Sequence, residues 1–254
     1  PENIEALLND PMHWMQEKMD GRRLLLRKEG DQVTGINRLG LAISIPETIA
    51  HSARQCRHDF LIDGEAVGDT LHVFDLLSVE GSDIREQGFA VRSSRLSQML
   101  EAFSPFHLQL VPTYGFPEKK QRFHQIREAG KEGVVFKHVD APYTPGRPHA
   151  GGTQLKHKFH ETASFVVTKR NDKRSVSLML WENGKVRPAG NVTIPPNHDI
   201  PRLGEVVECR YLYAFKESGF IYQPVFLGRR EDIHHEECTT SQLKYKAEPM
   251  TLAA

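Results

Sequence analysis

A lysine stands immediately before a tight-turn dipeptide and a pair of arginines near the start of the chain. The stretch at 16–23 reads QEKMDGRR, with Lys18 as its lysine. An amine attacks only when neutral, and at the ordinary lysine pKa about one in 2,500 is neutral at pH 7, a cost of roughly 4.6 kcal/mol. Burial near cations lowers that pKa, and Arg23, Lys156 and Lys158 are the candidates. Taken alone, the stretch is also typical of an ordinary solvated hairpin.

Four further short motifs follow Lys18 in the chain. DGE occupies 63–65, FD occupies 74–75, EGVVFK occupies 132–137 and LKHK occupies 155–158. The lysines of the last motif alternate along one strand, so both face the same side and can point at a phosphate. The glutamate of EGVVFK is a hard oxygen ligand suited to Mg²⁺. Each motif alone also fits ordinary strand residues or strand ends.

In this order the motifs resemble those of the covalent nucleotidyltransferase superfamily. Its ATP-dependent DNA ligases, RNA ligases and mRNA capping enzymes carry K-x-D-G-x-R, D-G-E, an aromatic-containing strand, E-G-(V/I)-V-x-K and K-x-K. The resemblance covers about residues 12 to 232 and fits best a minimal, two-domain ATP-dependent DNA ligase. It implies that Lys18 attacks the α-phosphorus of ATP, forms lysyl-AMP and expels pyrophosphate.

The resemblance also implies a role for each matching residue. The nucleotide contacts would be Gln16, Arg23, Arg38, Glu65, Phe74, Lys156 and Lys158. Arg23 and Arg38 would hold the ribose or the nick phosphate, and Phe74 would stack on adenine unless it is a core aromatic. Glu65 would contact the ribose hydroxyl or a metal, and Glu132 would bind Mg²⁺, for which Mn²⁺ is a substitute. Lys18, Lys156, Lys158, Arg230 and Asp232 would form the catalytic set.

Two positions depart from the family pattern. Many ligases have a glutamate where this chain has Gln16, and it accepts from the adenine amino group; a glutamine can accept or donate there, so the base preference stays open. The last ligase motif, R-x-D-K, is matched by Arg230 and Asp232, but Ile233 replaces the lysine. In the family this segment swings over ATP and orients pyrophosphate. Losing a cation should weaken that step unless Arg229 substitutes; a merely charged surface is the alternative.

Periodicity and turn signals predict an α+β chain in two domains. The resemblance implies an ATP-grasp-like adenylyltransferase domain at 1–160, with antiparallel sheets and helices. It is followed at 161–254 by an all-β OB-fold domain with a C-terminal tail.

The elements of the first domain follow from the same signals. We predict a hairpin of strands 13–19 and 22–28 turning at Asp20-Gly21. A helix should run to about 55 behind a capping box at Ser44. Further elements are strands 60–66 and 71–77, helices 94–103 and 117–129, strands 133–137 and 154–159, and a loop at 143–152. In the second domain we predict strands at 165–169, 175–181, 185–192, 205–215 and 220–226.

Composition excludes a disordered or collagen-like chain. The 254 residues hold 33 Lys+Arg and 33 Asp+Glu, for no net charge, but acids gather at 61–90 and bases at 22–28, 156–158 and 169–174. No apolar stretch approaches the roughly 18 residues of a membrane span, and no signal pattern opens the chain. Three dispersed cysteines give no disulfide framework. We expect a cytoplasmic protein of bacterial, phage or viral type.

Nicked duplex DNA is the expected partner, and the protein is expected to be a monomer. DNA is favoured because DNA ligases and capping enzymes carry the R-x-D motif, which RNA ligases often lack. The alternatives are an RNA or mixed RNA/DNA ligase, a capping guanylyltransferase and a non-catalytic OB-type nucleic-acid binder. The bases at 169–174 belong to a hairpin that fits a phosphate backbone or a solvated loop equally well. With few surplus cations, affinity for a nick should be modest and should fall steeply with salt.

Overall fold

Two units make up the chain. The computed structural model describes residues 3–103, 105–145 and 152–247, so most of the predicted loop at 143–152 lies outside the described residues. The first unit comprises Pro1–Glu128 and Glu132–His157, and the second comprises Ala129–Lys131 and Lys158–Ala254. Within the described ranges, no helix is long and apolar enough to cross a membrane.

Four helices are interspersed among runs of two to four strands up to about residue 158, and strands prevail afterwards. The helices are α1 Ile4–Asn9, α2 Glu47–Gln55, α3 Phe89–Phe103 and α4 Glu118–Glu128. The earlier strands are β1 His13–Glu17, β2 Arg22–Glu29, β3 Gln32–Ile36, β4 Ala42–Ile43, β5 Phe60–Val67, β6 Thr70–Val79, β7 Ser82–Asp83, β8 Leu108–Leu110, β9 Thr113–Tyr114, β10 Gly133–His138 and β11 Gln154–Lys158. The later strands are β12 Glu161–Arg170, β13 Ser175–Glu182, β14 Lys185–Thr193, β15 Val206–Tyr211 and β16 Val225–Arg230, followed by short 3₁₀ helices at His235–Glu237 and Thr240–Gln242.

Two sheets organise the segment before the second unit. One has the strand order β11-β10-β1-β9, and the other has the order β4-β3-β2-β5-β6-β7, with β8 added parallel to β6. Alternation along β2 buries Leu24 and Leu26 on one face of the larger sheet. Ile49 of α2 and Leu96 of α3 belong to the same hydrophobic cluster. One face of the larger sheet is thus covered by helices, as expected of an α+β domain.

The predicted hairpin at Asp20-Gly21 is wrong. β1 pairs with β10 and β9, whereas β2 pairs with β3 and β5, so the turn carries the chain from one sheet to the other. Gly21 is needed for a close approach, since a Cβ there would lie 2.3 Å from the carbonyl oxygen of Ala66. The consequence is that Lys18 lies at the point where the chain leaves one sheet for the next.

Three other boundaries differ from prediction. α2 begins after Pro46, which makes no side-chain cap, so the predicted capping box at Ser44 does not form. α3 begins at Phe89 rather than at 94. Its first turns bury Arg92, a charged residue that hides the helical pattern from sequence reading. Short β3, β4 and β7–β9 were not predicted.

The second unit has a five-stranded antiparallel sheet of order β14-β13-β12-β15-β16. Its core includes Phe165, Leu180 and Tyr211. The last strand begins at Val225 rather than at 220, because Phe215 and Phe220 close a tight turn through a 3.0 Å backbone hydrogen bond. The predicted class is confirmed: antiparallel sheets with helices are followed by an all-β unit.

Candidate active site

A pocket in the first unit brings together most of the predicted site residues. Its wall includes Gln16, Lys18, Arg23, Arg38, Glu65, Phe74 and Lys156. They come from β1 and the residue directly after it, from β2, β5, β6 and β11, and from the turn after β3. These segments approach one another although their motifs are spread over much of the chain. The convergence of strands from both sheets therefore builds the pocket.

The backbone and side chain of Lys18 are both held. β1 and β10 are antiparallel neighbours, with Glu17 opposite Val134, and the Lys18 N–H donates to the Gly133 carbonyl at 2.9 Å. Its ammonium donates to Oε2 of Glu132, which is only 7 % exposed. The lysine is thus fixed with its Nζ against a buried carboxylate at the pocket.

Gln16 has a defined amide orientation. The residue is 2 % exposed, and its Nε2 donates to the Phe74 carbonyl at 3.3 Å and to Thr113 Oγ1 at 2.9 Å. A backbone carbonyl only accepts, so the nitrogen must face Phe74 and the opposite end, Oε1, remains for the pocket. The amide nitrogen is therefore the end engaged by Phe74 and Thr113, and an acceptor role of Oε1 toward a base stays a prediction.

Phe74 belongs to the pocket wall and is not among the fully buried core residues. The Arg23 guanidinium carbon lies 5.1 Å from its ring centroid, and Lys137 Nζ lies 4.9 Å from it. Both distances are within the range of cation–π attraction. The ring is thus a fixed aromatic surface at the pocket, and the alternative of a core aromatic does not hold.

Arg23 is anchored by a buried carboxylate. Its Nε and Nη2 donate to the two oxygens of Asp63, which is fully buried, and Tyr143 donates to the same carboxylate at 2.9 Å. Burial disfavours the charge on Arg23, but Asp63 outweighs this and raises the pKa of the guanidinium. Burial raises the pKa of Tyr143 to about 12. Two of the donors of Arg23 are therefore used in holding it at the pocket.

The pocket concentrates positive charge. Desolvation, followed by the charges of Lys18, Arg23 and Arg38, lowers the pKa of Lys156. Burial raises the pKa of Glu65, although Lys18 and Arg23 oppose the rise. Such a field favours a polyanionic ligand, because several cations face one another with few acids among them.

Lys137 is a pocket residue to which sequence reasoning gave no role. It is 6 % exposed; its Nζ donates to the Phe74 carbonyl at 3.1 Å and lies 3.6 Å from Asp75, which pairs with Arg92 at 2.8 Å. Burial lowers the pKa of Lys137. The available signal was a lysine at the end of an otherwise apolar strand, in EGVVFK. Lys137 and Gln16 share one carbonyl acceptor and together fix the backbone at Phe74.

The remaining predicted residues lie in the second unit. Lys158 Nζ donates to Gln223 Oε1 at 3.0 Å. Arg230 donates to Asp232 through two 2.7 Å bonds and to Glu208 at 3.2 Å, and it lowers the pKa of Asp232 to about 2. Arg229, the possible substitute for the missing lysine, lies 3.3 Å from Glu205. The roles of these residues at a nucleotide stay predictions.

A magnesium ion fits the pocket only together with a phosphate ligand. Among the residues that the structure describes, no group of three or more His, Cys, Asp or Glu side chains is arranged to hold a metal. Glu65 and Glu132 are near enough that the charge of Glu132 contributes to the raised pKa of Glu65. Mg²⁺ commonly takes one or two carboxylates and completes its shell with water and substrate phosphates. This pair suits that mode and does not form a complete protein cage.

A held lysine, a buried amide, an aromatic ring and a group of cations thus line one pocket on antiparallel sheets. Residues 68–158 match the family model described as ATP dependent DNA ligase domain. The chain is 26 % identical over 216 residues to a probable DNA ligase of Streptomyces griseus, covering 69 % of this chain and 42 % of that protein. A DNA ligase of Haloferax volcanii is 34 % identical over 113 residues, covering 44 % and 19 %.

Solved structures show the same fold. The ligase domain of M. tuberculosis LigD has a TM-score of 0.56 at 22 % identity, with 92 % of this chain and 94 % of that chain covered. A structure from work on Lig E DNA ligases has a TM-score of 0.66 at 20 % identity, with 87 % and 94 % covered. These similarities confirm the resemblance to ATP-dependent DNA ligases. The chain spans less than half the length of the curated relatives described above.

Proposed function

We propose that this protein is an ATP-dependent DNA ligase that seals nicks with a 3′-hydroxyl and a 5′-phosphate. The observation that carries the proposal is the contact of Lys18 with Glu132 at a pocket whose wall holds the Gln16 amide and the Phe74 ring. A solvated hairpin or a non-catalytic OB-type binder needs no such convergence.

The first step forms a phosphoramidate on Lys18. The neutral amine attacks the α-phosphorus of ATP, an N–P bond forms, and the bond from that phosphorus to the bridging oxygen breaks. Pyrophosphate leaves with the electron pair. Before the attack the ammonium of Lys18 loses one proton, which the contacting carboxylate of Glu132 receives and passes to water. The nitrogen loses its second proton to water as the N–P bond forms.

The pocket orients ATP through contacts to its adenine base and to its phosphates. Phe74 provides the face for adenine, and Oε1 of Gln16 accepts from the adenine amino group, which guanine lacks at that position. Arg38 and Lys156 face the phosphates. Once Glu132 has passed the proton on, its carboxylate and that of Glu65 would hold Mg²⁺, which would neutralise phosphate charge that the protein cations meet incompletely.

Two further transfers complete the reaction. The 5′-phosphate of the nick attacks the lysyl-AMP phosphorus and takes the AMP, which frees Lys18. The 3′-hydroxyl then attacks the activated 5′-phosphate, a phosphodiester forms, and AMP leaves. By family resemblance, Lys158 contacts the nucleotide phosphate, and Arg230 with Asp232 orients pyrophosphate during the first step.

The proposal is tested with ATP labelled at the α- or the γ-phosphate, in the presence of Mg²⁺. The α-label is expected to remain on denatured wild-type protein and on Lys185→Ala, an exposed-lysine control, and to be absent from Lys18→Ala. The γ-label leaves with pyrophosphate and should remain on none of the three proteins. No stable uptake from ATP or GTP contradicts the proposal. Sealing of nicks built from DNA, RNA or mixed strands then tests DNA against the RNA-joining alternative.

A further inference from the structure

The turn between β3 and β4 displays two exposed leucines. Leu39 is 81 % exposed, the largest value among the large hydrophobic residues that the structure describes, and Leu41 is 58 % exposed. Single exposed leucines are ordinary. Two on one short turn form an exposed apolar point next to a pocket residue, and burying either leucine against a partner would be favourable.

The turn is firmly built. Oδ1 of Asn37 accepts from the backbone N–H groups of Leu39 at 2.9 Å and Leu41 at 3.1 Å. Backbone bonds join Asn37 N–H to the Leu41 carbonyl at 2.9 Å and Gly40 N–H to the Asn37 carbonyl at 3.0 Å. Gly40 has a φ of +80°, which a glycine adopts without strain. Leu39 is therefore held outward by a side-chain-capped turn.

The position of this turn identifies the kind of partner. Arg38, directly before Leu39, lines the nucleotide pocket, and its charge contributes to the lowered pKa of Lys156. The leucines thus flank a cation that lines the pocket, with Leu39 next to Arg38 in the chain. Two leucines are too small an area for a stable protein interface, which buries about 800 Å² per partner. A polyanion with apolar edges, presented at the pocket, fits both features.

We propose that the 37–41 turn is a wedge for nicked duplex DNA. Leu39 packs against the sugar and base edges next to the nick, and Arg38 binds the neighbouring phosphate. Apolar side chains inserted beside base steps are a known way for proteins to hold distorted duplexes, and phosphate contacts set the register. This inference rests on the proposed ligase function, since a 5′-phosphate that reaches Lys18 must bring its duplex to the pocket.

The experiment compares wild type, Leu39→Ser, Leu39→Met and the control Leu203→Ser, whose leucine is 66 % exposed in the second unit. Three quantities are measured: lysyl-adenylate formation without DNA, KM for a nicked duplex, and fluorescence of a 2-aminopurine placed next to the nick. Leu39→Ser should form the adenylate at the wild-type rate but show a KM raised roughly tenfold, because one leucine loses its burial. The 2-aminopurine fluorescence should rise when wild-type protein binds the nick, because the wedge unstacks the base, and Leu39→Ser should not give this rise.

The other variants make the test specific. Leu39→Met should stay within about twofold of wild type, because methionine conserves volume and apolarity. Leu203→Ser should match wild type throughout. A Leu39→Ser protein with wild-type KM and fluorescence, or a Leu203→Ser protein with the same loss, overturns the wedge. The fluorescence measurement needs no catalysis. It therefore tests the contact of Leu39 with DNA even if wild-type protein forms no adenylate and the ligase function is disproved.

Discussion

The ammonium of Lys18 donates to the carboxylate of Glu132, a residue 114 positions further along the chain. The contact exists because β1 and β10 are antiparallel neighbours, with the Lys18 N–H bonded to Gly133. The proposed nucleophile is therefore held by a buried carboxylate, and its approach to a phosphorus atom requires that carboxylate to take a proton or exchange its partner.

Glu132→Gln should slow lysyl-adenylate formation by about 100-fold or more, because the amide cannot take the amine proton. Single-turnover labelling with ATP and Mg²⁺ measures the rate. Glu128→Gln is the control, since Glu128 is an exposed residue near the end of α4. A Glu132→Gln protein that labels as fast as Glu128→Gln would remove Glu132 from the proton transfer.

Gln16→Leu should reduce the preference for ATP over GTP, because the leucine offers no acceptor for the adenine amino group. The loss of one neutral hydrogen bond predicts a KM for ATP raised roughly three- to tenfold. Thr113→Val, which removes one anchor of the same amide, should have a smaller effect in the same direction. An unchanged ratio of ATP to GTP use in Gln16→Leu would contradict the orientation assigned to this amide.

Asp63→Asn should lower the free energy of unfolding by roughly 3 kcal/mol, because removing one partner of a buried ion pair leaves the other uncompensated. Arg23 loses its carboxylate in this variant, while the Tyr143 hydroxyl keeps a possible acceptor. Urea denaturation checks the prediction. Asp69→Asn, at an exposed turn, serves as the control and should unfold like wild type; equal stability of both variants would refute the importance of the pair.

Lys137→Met should change how stability depends on pH. Burial lowers the pKa of Lys137 below the ordinary value of 10.5, so between the two values the unfolded chain binds the additional proton. This contribution makes the free energy of unfolding rise with pH as 10.5 is approached. The variant should lack it. Urea midpoints of both proteins at neutral and alkaline pH measure the difference, and parallel pH curves would contradict the assignment.

Much of the site was predictable because the ordered motifs lie on strands or strand ends that converge. Gln16, Lys18 and Phe74 were all named from sequence, and all line one pocket. Strand pairing was harder to predict, because β1 pairs with β10, which lies far along the chain. The Asp-Gly turn directly after β1 also resembles a hairpin signal. That turn uses Gly21 for close packing against Ala66, which no local pattern reveals.

The orientation of the Gln16 amide and the partners of the Lys137 ammonium were not predictable from the sequence. The direction of the Gln16 amide depends on the carbonyl of Phe74 and the hydroxyl of Thr113, both distant in the chain. The role of Lys137 depends on Asp75 and on the same carbonyl. Such contacts follow from tertiary packing. The same contacts fix the orientation of the Gln16 amide and the charges around Phe74 in the pocket.

The most direct measurement is to locate the AMP in the protein after reaction with ATP and Mg²⁺. Peptide mapping by mass spectrometry should find one AMP, joined through an acid-labile phosphoramidate to Nζ of Lys18, and none in Lys18→Arg. AMP on Lys156 or another residue, or its absence from wild-type protein under conditions that form the adenylate in a known ATP-dependent ligase, would contradict the account.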